Sequence, residues 1–197
     1  MIDWLLVDYG ETISTPLPAR TVTELADLAG QAPGEFLRRY WQARPDYDLG
    51  QAPETYWSRV LDRDPSDLGP LTGALTRTDV HGWLSVNTST LQALRAYARR
   101  TGTRLALLSN APEPLAAAID RCSWSRHFTH RLYSCRLGYA KPDPAAFTTA
   151  LAGLGSDPHR VFFIDDRTAN TIAANRAGMP AINFSSAAAL ARHLRRF

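Results

Sequence analysis

The chain has 197 residues, of which 45% are hydrophobic and 21% charged, and its formal net charge is +3 at pH 7. This is the composition of a globular protein, and no run reaches the ~18 apolar residues that a membrane helix needs. The arginines are scattered along the chain, so the small positive charge gives little support to a nucleic-acid partner. We therefore expect a protein that binds neither nucleic acid nor membranes.

The N-terminus and the cysteines indicate the cellular compartment of the protein. The chain begins Met-Ile-Asp-Trp, without the basic segment and cleavage site of a secretion signal. Cys122 and Cys135 have neither metal-ligand nor redox spacing. We expect a cytoplasmic protein whose two thiols are reduced and partly buried. The sequence leaves the oligomeric state open.

The first predicted element is a buried parallel strand over residues 3–7, which are mostly apolar and end at Asp8. After it the strand pattern stops, and residues 15–84 contain the predicted helices Val22–Leu28, Gly34–Ala43 and Glu54–Leu61. A helical insertion directly after the first strand predicts a cap over a site. We therefore divide the chain into a core of residues 1–14 and 85–197 and a cap of residues 15–84.

The remainder of the chain alternates predicted helices and strands. A helix capped by Thr88 or Ser89 ends at Gly102. The elements that follow are strand Arg104–Leu108, helices Glu113–Cys122 and Pro144–Leu154, strand Arg160–Ile164, helix Thr168–Ala177, strand Ala181–Phe184 and a helix from about Ser186. This alternation predicts an α/β fold, a doubly wound parallel sheet of Rossmann-like type.

Polar residues follow three of the predicted strands: Asp8, the pair Ser109-Asn110 and the pair Asp165-Asp166. The carboxyl ends of buried strands form the ligand crevice of an open α/β sheet. An aspartate there can attack phosphorus, although an aspartate in a turn after a strand is common without any catalytic role. Ser109 and Asn110 can donate to phosphate oxygens, and an ordinary helix cap is the alternative.

Two further features are more specific. Lys141, between Ala140 and Pro142, is the chain's only lysine among 22 basic residues, which favours a compact ammonium directed at a phosphate and a carboxylate over a solvated loop residue. The adjacent carboxylates Asp165 and Asp166 repel each other unless a cation is present, and oxygen ligands suit Mg²⁺. A helix cap by Asp166 is the alternative, and it leaves Asp165 without a role.

In this order, the four segments resemble the motifs of the haloacid dehalogenase-like superfamily. They are Asp8-Tyr9-Gly10-Glu11-Thr12, Ser109-Asn110, Lys141-Pro142 and Asp165-Asp166, followed by Asn170, Ala173, Ala174 and Gly178. The resemblance covers roughly residues 1–14 and 85–185. The helical insertion is similar to that of superfamily members with a small helical cap.

The resemblance implies a role for each residue. Asp8 would be the nucleophile, with Ser109 and Lys141 as the other catalytic residues. The substrate would contact Ser109, Asn110, Lys141 and Gly10. Mg²⁺ would be bound by Asp8, Asp166 and the Gly10 carbonyl, with Asp165 orienting it or its waters.

Gly10 departs from the usual pattern, in which phosphatases of this superfamily carry a second aspartate two residues after the nucleophile. Glycine cannot exchange a proton, and such a catalyst is typically worth ~10²–10⁴-fold in rate. Glu11 is one candidate substitute. Two functions therefore stay open: a Mg²⁺-dependent phosphatase of small phosphorylated metabolites that forms an aspartyl phosphate, or a weakly active or inactive relative that binds Mg²⁺ and a phosphorylated ligand as a sensor or interaction partner. Haloacid dehalogenases proper usually lack the adjacent aspartate pair, so Asp165-Asp166 favours phosphoryl chemistry.

Overall fold

A sheet of five parallel strands forms the centre of the computed structural model, which describes residues 2–196. The strands are β1 (Trp4–Val7), β2 (Arg104–Ser109), β3 (His130–Tyr133), β4 (Val161–Asp165) and β5 (Ala181–Asn183). Their order is β3-β2-β1-β4-β5. The chain order reverses at β1, so the crevice outside the carboxyl ends of β1, β2 and β4 is the ligand site typical of such sheets. The predicted fold class is confirmed.

The central strands β1, β2 and β4 are mostly apolar because the sheet is covered on both faces. Leu5 and Val7 of β1 belong to one buried cluster, whereas Trp4 and Leu6 belong to another. Helices pack on the two faces. They are α5 (Thr88–Thr101), α6 (Glu113–Arg121), α7 (Ser134–Leu137), α8 (Pro144–Leu154), α9 (Thr168–Arg176) and α10 (Ala187–Leu194).

The start of α5 differs from the prediction by one or two residues. Asn87, and not Thr88 or Ser89, is the N-cap, and its side-chain oxygen accepts a hydrogen bond from the Thr90 N–H at 3.2 Å. Asn87 has an extended backbone, as N-cap residues do. The strand β3 and the short helix α7 were not predicted.

Four helices lie between β1 and α5: α1 (Ala19–Ala29), α2 (Pro33–Asp48), α3 (Pro53–Leu61) and α4 (Pro70–Trp83). They enclose a hydrophobic cluster of their own, which includes Phe36, Tyr40 and Trp57. The sequence predicted parts of α1, α2 and α3 but not α4, and α2 continues five residues beyond its predicted end, through Pro45. A separate cluster is what a cap needs, and we keep the division into core and cap as a proposal.

Both cysteines are free and half-buried, as the sequence predicted. Within residues 2–196, none of the helices combines the length and the apolar character that crossing a membrane requires. The cytoplasmic location stays a prediction.

Candidate active site

The predicted polar residues meet at one edge of the sheet. Asp8 follows β1, Ser109 ends β2 and Asp165 ends β4, and β1 pairs with both β2 and β4. A cavity of about 100 Å³ opens there. From the sheet side it is lined by Asp8, Gly10, Glu11, Ser109, Asn110, Lys141, Asp166, Arg167 and Asn170, among others. The structure thus brings the residues of all four motifs together, at or directly beside one cavity.

Lys141 lies at the centre of this arrangement, with only 2% of its side chain exposed. Its ammonium donates to Asp8 Oδ1 at 2.5 Å and to Asp165 Oδ2 at 2.7 Å. Burial disfavours the charged ammonium, but the two carboxylates outweigh it and raise the pKa of Lys141 above its usual value. The chain's only lysine therefore stays a cation in contact with the predicted nucleophile.

Asn110 fixes the backbone that carries Lys141. Its side-chain NH₂ donates to the Lys141 carbonyl at 2.8 Å, and its side-chain oxygen accepts from the Lys141 N–H at 2.9 Å. The sequence predicted that Asn110 contacts the substrate. In the structure, Asn110 lines the cavity, and both ends of its amide also bond to the backbone of Lys141, which helps to position the ammonium. Its contact with a substrate stays a prediction. Ser109, 2% exposed, lines the cavity itself.

The two adjacent carboxylates have different surroundings. Asp165 is fully buried, and both of its oxygens already accept hydrogen bonds from Lys141 and Asn170, with a third donor in the Arg167 N–H at 2.8 Å. Asp166 is half-buried and lines the cavity. Burial and the neighbouring Asp165 raise the pKa of Asp166. Asp166 is thus the member of the pair with oxygens available to a ligand.

The carboxylates fit a divalent cation. Oxygens of Asp8, Asp165 and Asp166 lie within 4.8 Å of one another. Burial raises the pKa of Asp8 to about 7, and the lowering effect of Lys141 does not cancel this. One ammonium among three carboxylates leaves a net negative charge, which hard oxygen-binding cations such as Mg²⁺ offset. Because the Asp165 oxygens are engaged, Asp8 and Asp166 are the carboxylates that would bind it.

The turn after Asp8 contains Gly10 and Glu11. The Gly10 carbonyl accepts from the Thr12 N–H at 2.7 Å, and a carbonyl oxygen has a second lone pair for a metal. The φ of Gly10 lies outside the left-handed region, and an added Cβ would be 3.9 Å from Asp8 Oδ2, an ordinary contact. Glu11 is exposed and has a φ of 53°.

The helical insertion contributes the other wall of the cavity, which consists of Trp41, Arg44, Asp48 and Trp83. Arg44 is buried, and its Nε donates to Asp48 Oδ1 at 2.7 Å. In the helical insertion, residues 38–40 and 44–50 combine arginines with aromatic and turn residues, which makes them candidates for contact with a substrate's polar end. A solvated helix face is the alternative for Arg38 and Arg39.

The structure separates these candidates. Arg38 and Arg39 pair with Glu35 outside the cavity, and Tyr40 is buried and donates to Asp79 Oδ1 at 2.6 Å. Arg44 and Asp48 reach the cavity, together with Trp41 and Trp83, which sequence reasoning had not assigned to a site. Arg44 and Asp48 are four residues apart on one helix, a spacing that brings two side chains together, and this spacing was the sequence signal for the pair.

Comparison with known proteins adds a family and a fold. A sequence profile described as haloacid dehalogenase-like hydrolase matches residues 13–178. Phosphoglycolate phosphatase 1 of Pseudomonas aeruginosa is 29% identical over 102 residues, which are 51% of this chain and 37% of that protein. The match therefore covers much less than two thirds of the length of this relative.

Two solved structures resemble nearly the whole chain. A HAD family enzyme of Bacteroides thetaiotaomicron, in complex with magnesium and inorganic phosphate, has a TM-score of 0.70 and 19% identity, covering 94% of this chain and 95% of that chain. A 2-haloacid dehalogenase of Pseudomonas syringae pv. tomato has a TM-score of 0.69 and 20% identity, covering 93% and 86%. At such identities the likeness shows the fold alone.

Proposed function

The chain belongs to the haloacid dehalogenase-like hydrolases, and on that premise we propose that it is a Mg²⁺-dependent phosphatase of small phosphorylated metabolites. The observation that carries the proposal is the contact of Lys141 with Asp8 beside the available carboxylate of Asp166, at one cavity. A phosphatase among the relatives and a similar fold with bound magnesium and phosphate support it.

The chain's own residues can perform most of the reaction. Lys141 donates to Asp8 Oδ1, which leaves Oδ2 to attack phosphorus and form an aspartyl phosphate. The ammonium and the Ser109 hydroxyl would bind phosphoryl oxygens, whose charge is the main electrostatic demand of this chemistry. Asp8, Asp166 and the Gly10 carbonyl would bind Mg²⁺, which supplies further positive charge when bound.

Dehalogenation is the alternative reaction, because a haloacid dehalogenase shares the fold. Three carboxylates with oxygens within 4.8 Å favour a site that takes a cation and, with it, a phosphate. A halide leaving from carbon has no comparable need for a divalent cation. The carboxylate cluster therefore supports the phosphatase.

A second function has one observation in its favour. Gly10 stands at the position where phosphatases of this superfamily usually carry the proton-transferring aspartate, so the protein would bind Mg²⁺ and a phosphorylated ligand with little turnover. Such a protein would act as a sensor or interaction partner.

One assay separates the three functions. The purified chain is incubated with 4-nitrophenyl phosphate or with 2-chloropropionate, in Mg²⁺ or in EDTA, and released phosphate or chloride is measured. We expect phosphate release that requires Mg²⁺ and no chloride release. Chloride release without metal would replace the proposal with dehalogenation, and a thermal shift by Mg²⁺ and phosphate without turnover would favour the sensor.

A further inference from the structure

The phosphatase reaction needs a group that exchanges a proton with the leaving group and with water, and Gly10 cannot do so. Four carboxylates line the cavity: Asp8, Glu11, Asp48 and Asp166. The proposed function uses Asp8 as the nucleophile and Asp166 as a metal ligand. Glu11 and Asp48 are left for proton transfer.

Glu11 is poorly placed to transfer a proton in a fixed geometry. Its side chain is exposed and has no hydrogen bond or ion pair with any of residues 2–196. A catalytic acid or base must be within hydrogen-bond reach of the proton that it moves. Glu11 lines the cavity and is near enough to Asp166 to help raise the pKa of that carboxyl group, but no described side chain holds the Glu11 carboxylate in place.

Asp48 belongs to the helical insertion and is held by two hydrogen bonds, one to its side chain and one to its carbonyl. Oδ1 accepts from Arg44 Nε at 2.7 Å, and Oδ2 has no partner among residues 2–196. The Asp48 carbonyl accepts from the Ser134 hydroxyl, whose oxygen in turn accepts from the Ala111 N–H at 3.0 Å. Ala111 is two residues after Ser109, so these bonds attach the end of α2 to the turn that carries the phosphate-binding residue.

Asp48 lines the same cavity as Asp8 and Ser109. Ligand pockets usually enclose ~300–1,000 Å³, whereas this cavity has about 100 Å³. A ligand small enough to enter it contacts the sheet side and the cap side at once. Asp48 would then lie beside the part of the ligand that points away from Asp8, which is the leaving group.

We propose that Asp48 is the catalytic acid and base of the phosphatase, an inference that rests on the proposed function. In the first step, Asp8 Oδ2 bonds to phosphorus, the bond from phosphorus to the ester oxygen breaks, and that oxygen takes the proton of the Asp48 carboxyl group. In the second step, water gives a proton to the Asp48 carboxylate and attacks phosphorus, and the bond to Asp8 breaks. Phosphate, alcohol and the original protonation state result.

The surroundings of Asp48 favour its protonated form more than water does. Burial raises its pKa, and Arg44 and Arg167 oppose this without cancelling it. The other titratable groups that face it are Tyr47 from α2, Tyr56 from α3 and Asp79 from α4. A carboxyl group whose pKa lies nearer to neutrality is a better proton donor at neutral pH.

The test compares Asp48→Asn with the wild type on ethyl phosphate, which has a poor leaving group, and on 4-nitrophenyl phosphate, which has a good one. We expect the variant to lose about 10²–10⁴-fold on ethyl phosphate. On 4-nitrophenyl phosphate it should release one nitrophenol per protein rapidly and then turn over slowly, because only the second step still needs the base. Asp46→Asn is the matched control, since Asp46 is on the same helix but exposed and paired with Arg59.

Other outcomes would overturn the inference. Unchanged rates in Asp48→Asn, or an equal loss on both esters without a burst, would mean that Asp48 does not exchange the proton. If a thermal melt shows that Asp48→Asn does not fold, the rates of the wild type and of Glu11→Gln on the two esters test the inference instead. Ethyl phosphate slower than 4-nitrophenyl phosphate by more than about 10⁴-fold would show that no acid is present, and a loss in Glu11→Gln would assign the role to Glu11. No Mg²⁺-dependent hydrolysis of either ester by the wild type would instead contradict the proposed function itself.

Discussion

Asp165 and Asp166 are adjacent in sequence, but different groups surround them. Asp165 accepts from Lys141, Asn170 and a backbone N–H, all inside the protein. Asp166 is half-buried beside the cavity. We infer that Asp165 positions Lys141 and that Asp166 binds the metal.

This difference predicts opposite results for two matched substitutions. Asp166→Asn should keep the melting temperature of the metal-free protein and lose most of the increase that Mg²⁺ causes in the wild type. Asp165→Asn should destabilise the metal-free protein by about 1.5–3 kcal/mol, because the buried ammonium loses a charged hydrogen-bond partner and keeps only Asp8. Thermal and denaturant melts with and without Mg²⁺ measure both. A full Mg²⁺ shift in Asp166→Asn would place the metal elsewhere.

Gly10 provides the second prediction for single residues. Because its φ is outside the left-handed region and a Cβ has room, Gly10→Asp should fold with a melting temperature close to that of the wild type. Added to Asp48→Asn, it should restore hydrolysis of ethyl phosphate, because it returns a carboxyl group to the usual position. A double variant that folds but stays as slow as Asp48→Asn would contradict this.

Most of the candidate site could be predicted from the sequence, because its residues directly follow apolar strands or stand out by composition, as the single Lys141 does. The role of Asn110 was not predicted, since it depends on hydrogen bonds to a residue 31 positions away. The role that we propose for Asp48 was not predicted either. Its contact with Ser134 spans 86 positions, and no local pattern indicates it.

Among the elements, α4 packs against α1 through a glycine. A Cβ at Gly82 would lie 2.5 Å from Thr21 Cγ2 and 2.8 Å from Leu17 Cδ1. Both distances are shorter than contacts with a Cβ normally are, so Thr21 and Leu17 would have to move. Gly82 therefore allows the first and last helices of the helical insertion, α1 and α4, to approach each other.

Gly82→Ala should lower the free energy of unfolding by about 1–3 kcal/mol, because the packing of α1 must shift. Gly73→Ala, in the same helix, is the matched control. Its Cβ would meet only the end of the flexible Arg77 side chain, so it should stabilise by about 0.5–1 kcal/mol through helix propensity. Urea melts followed by circular dichroism measure both, and equal effects would show that the α1–α4 contact is not close.

The elements that sequence patterns predicted best are the central ones. The strands β1, β2 and β4 are buried on both faces and are therefore continuous apolar runs. Strand β3 was not predicted because His130–Tyr133 is neither a continuous apolar run nor a regular alternation of apolar and polar residues. Its intermediate burial is typical of an edge strand. Helix α4 was missed because threonines and glycines lower its intrinsic propensity, and tertiary packing overrides that preference.

In the molecule as a whole, the strand ends provide Asp8, Ser109 and Asp166, the segment before α8 provides Lys141, and the helical insertion provides Arg44 and Asp48. The two sides meet at a small cavity, which suits a small substrate. The chain's membership in the haloacid dehalogenase-like hydrolases and the carboxylate cluster both agree with phosphate ester hydrolysis that depends on Asp8 and on Mg²⁺.

The most direct test of this account is the rate of phosphate release from 4-nitrophenyl phosphate by the wild type and by Asp8→Asn, each with Mg²⁺ and with EDTA. Asp3→Asn is the matched control, since Asp3 lies at the opposite end of β1 and pairs with Arg160. We predict turnover by the wild type and the control in Mg²⁺ only, and none by folded Asp8→Asn, because an amide cannot be the nucleophile. Turnover by folded Asp8→Asn, or equal turnover in EDTA, would contradict the account.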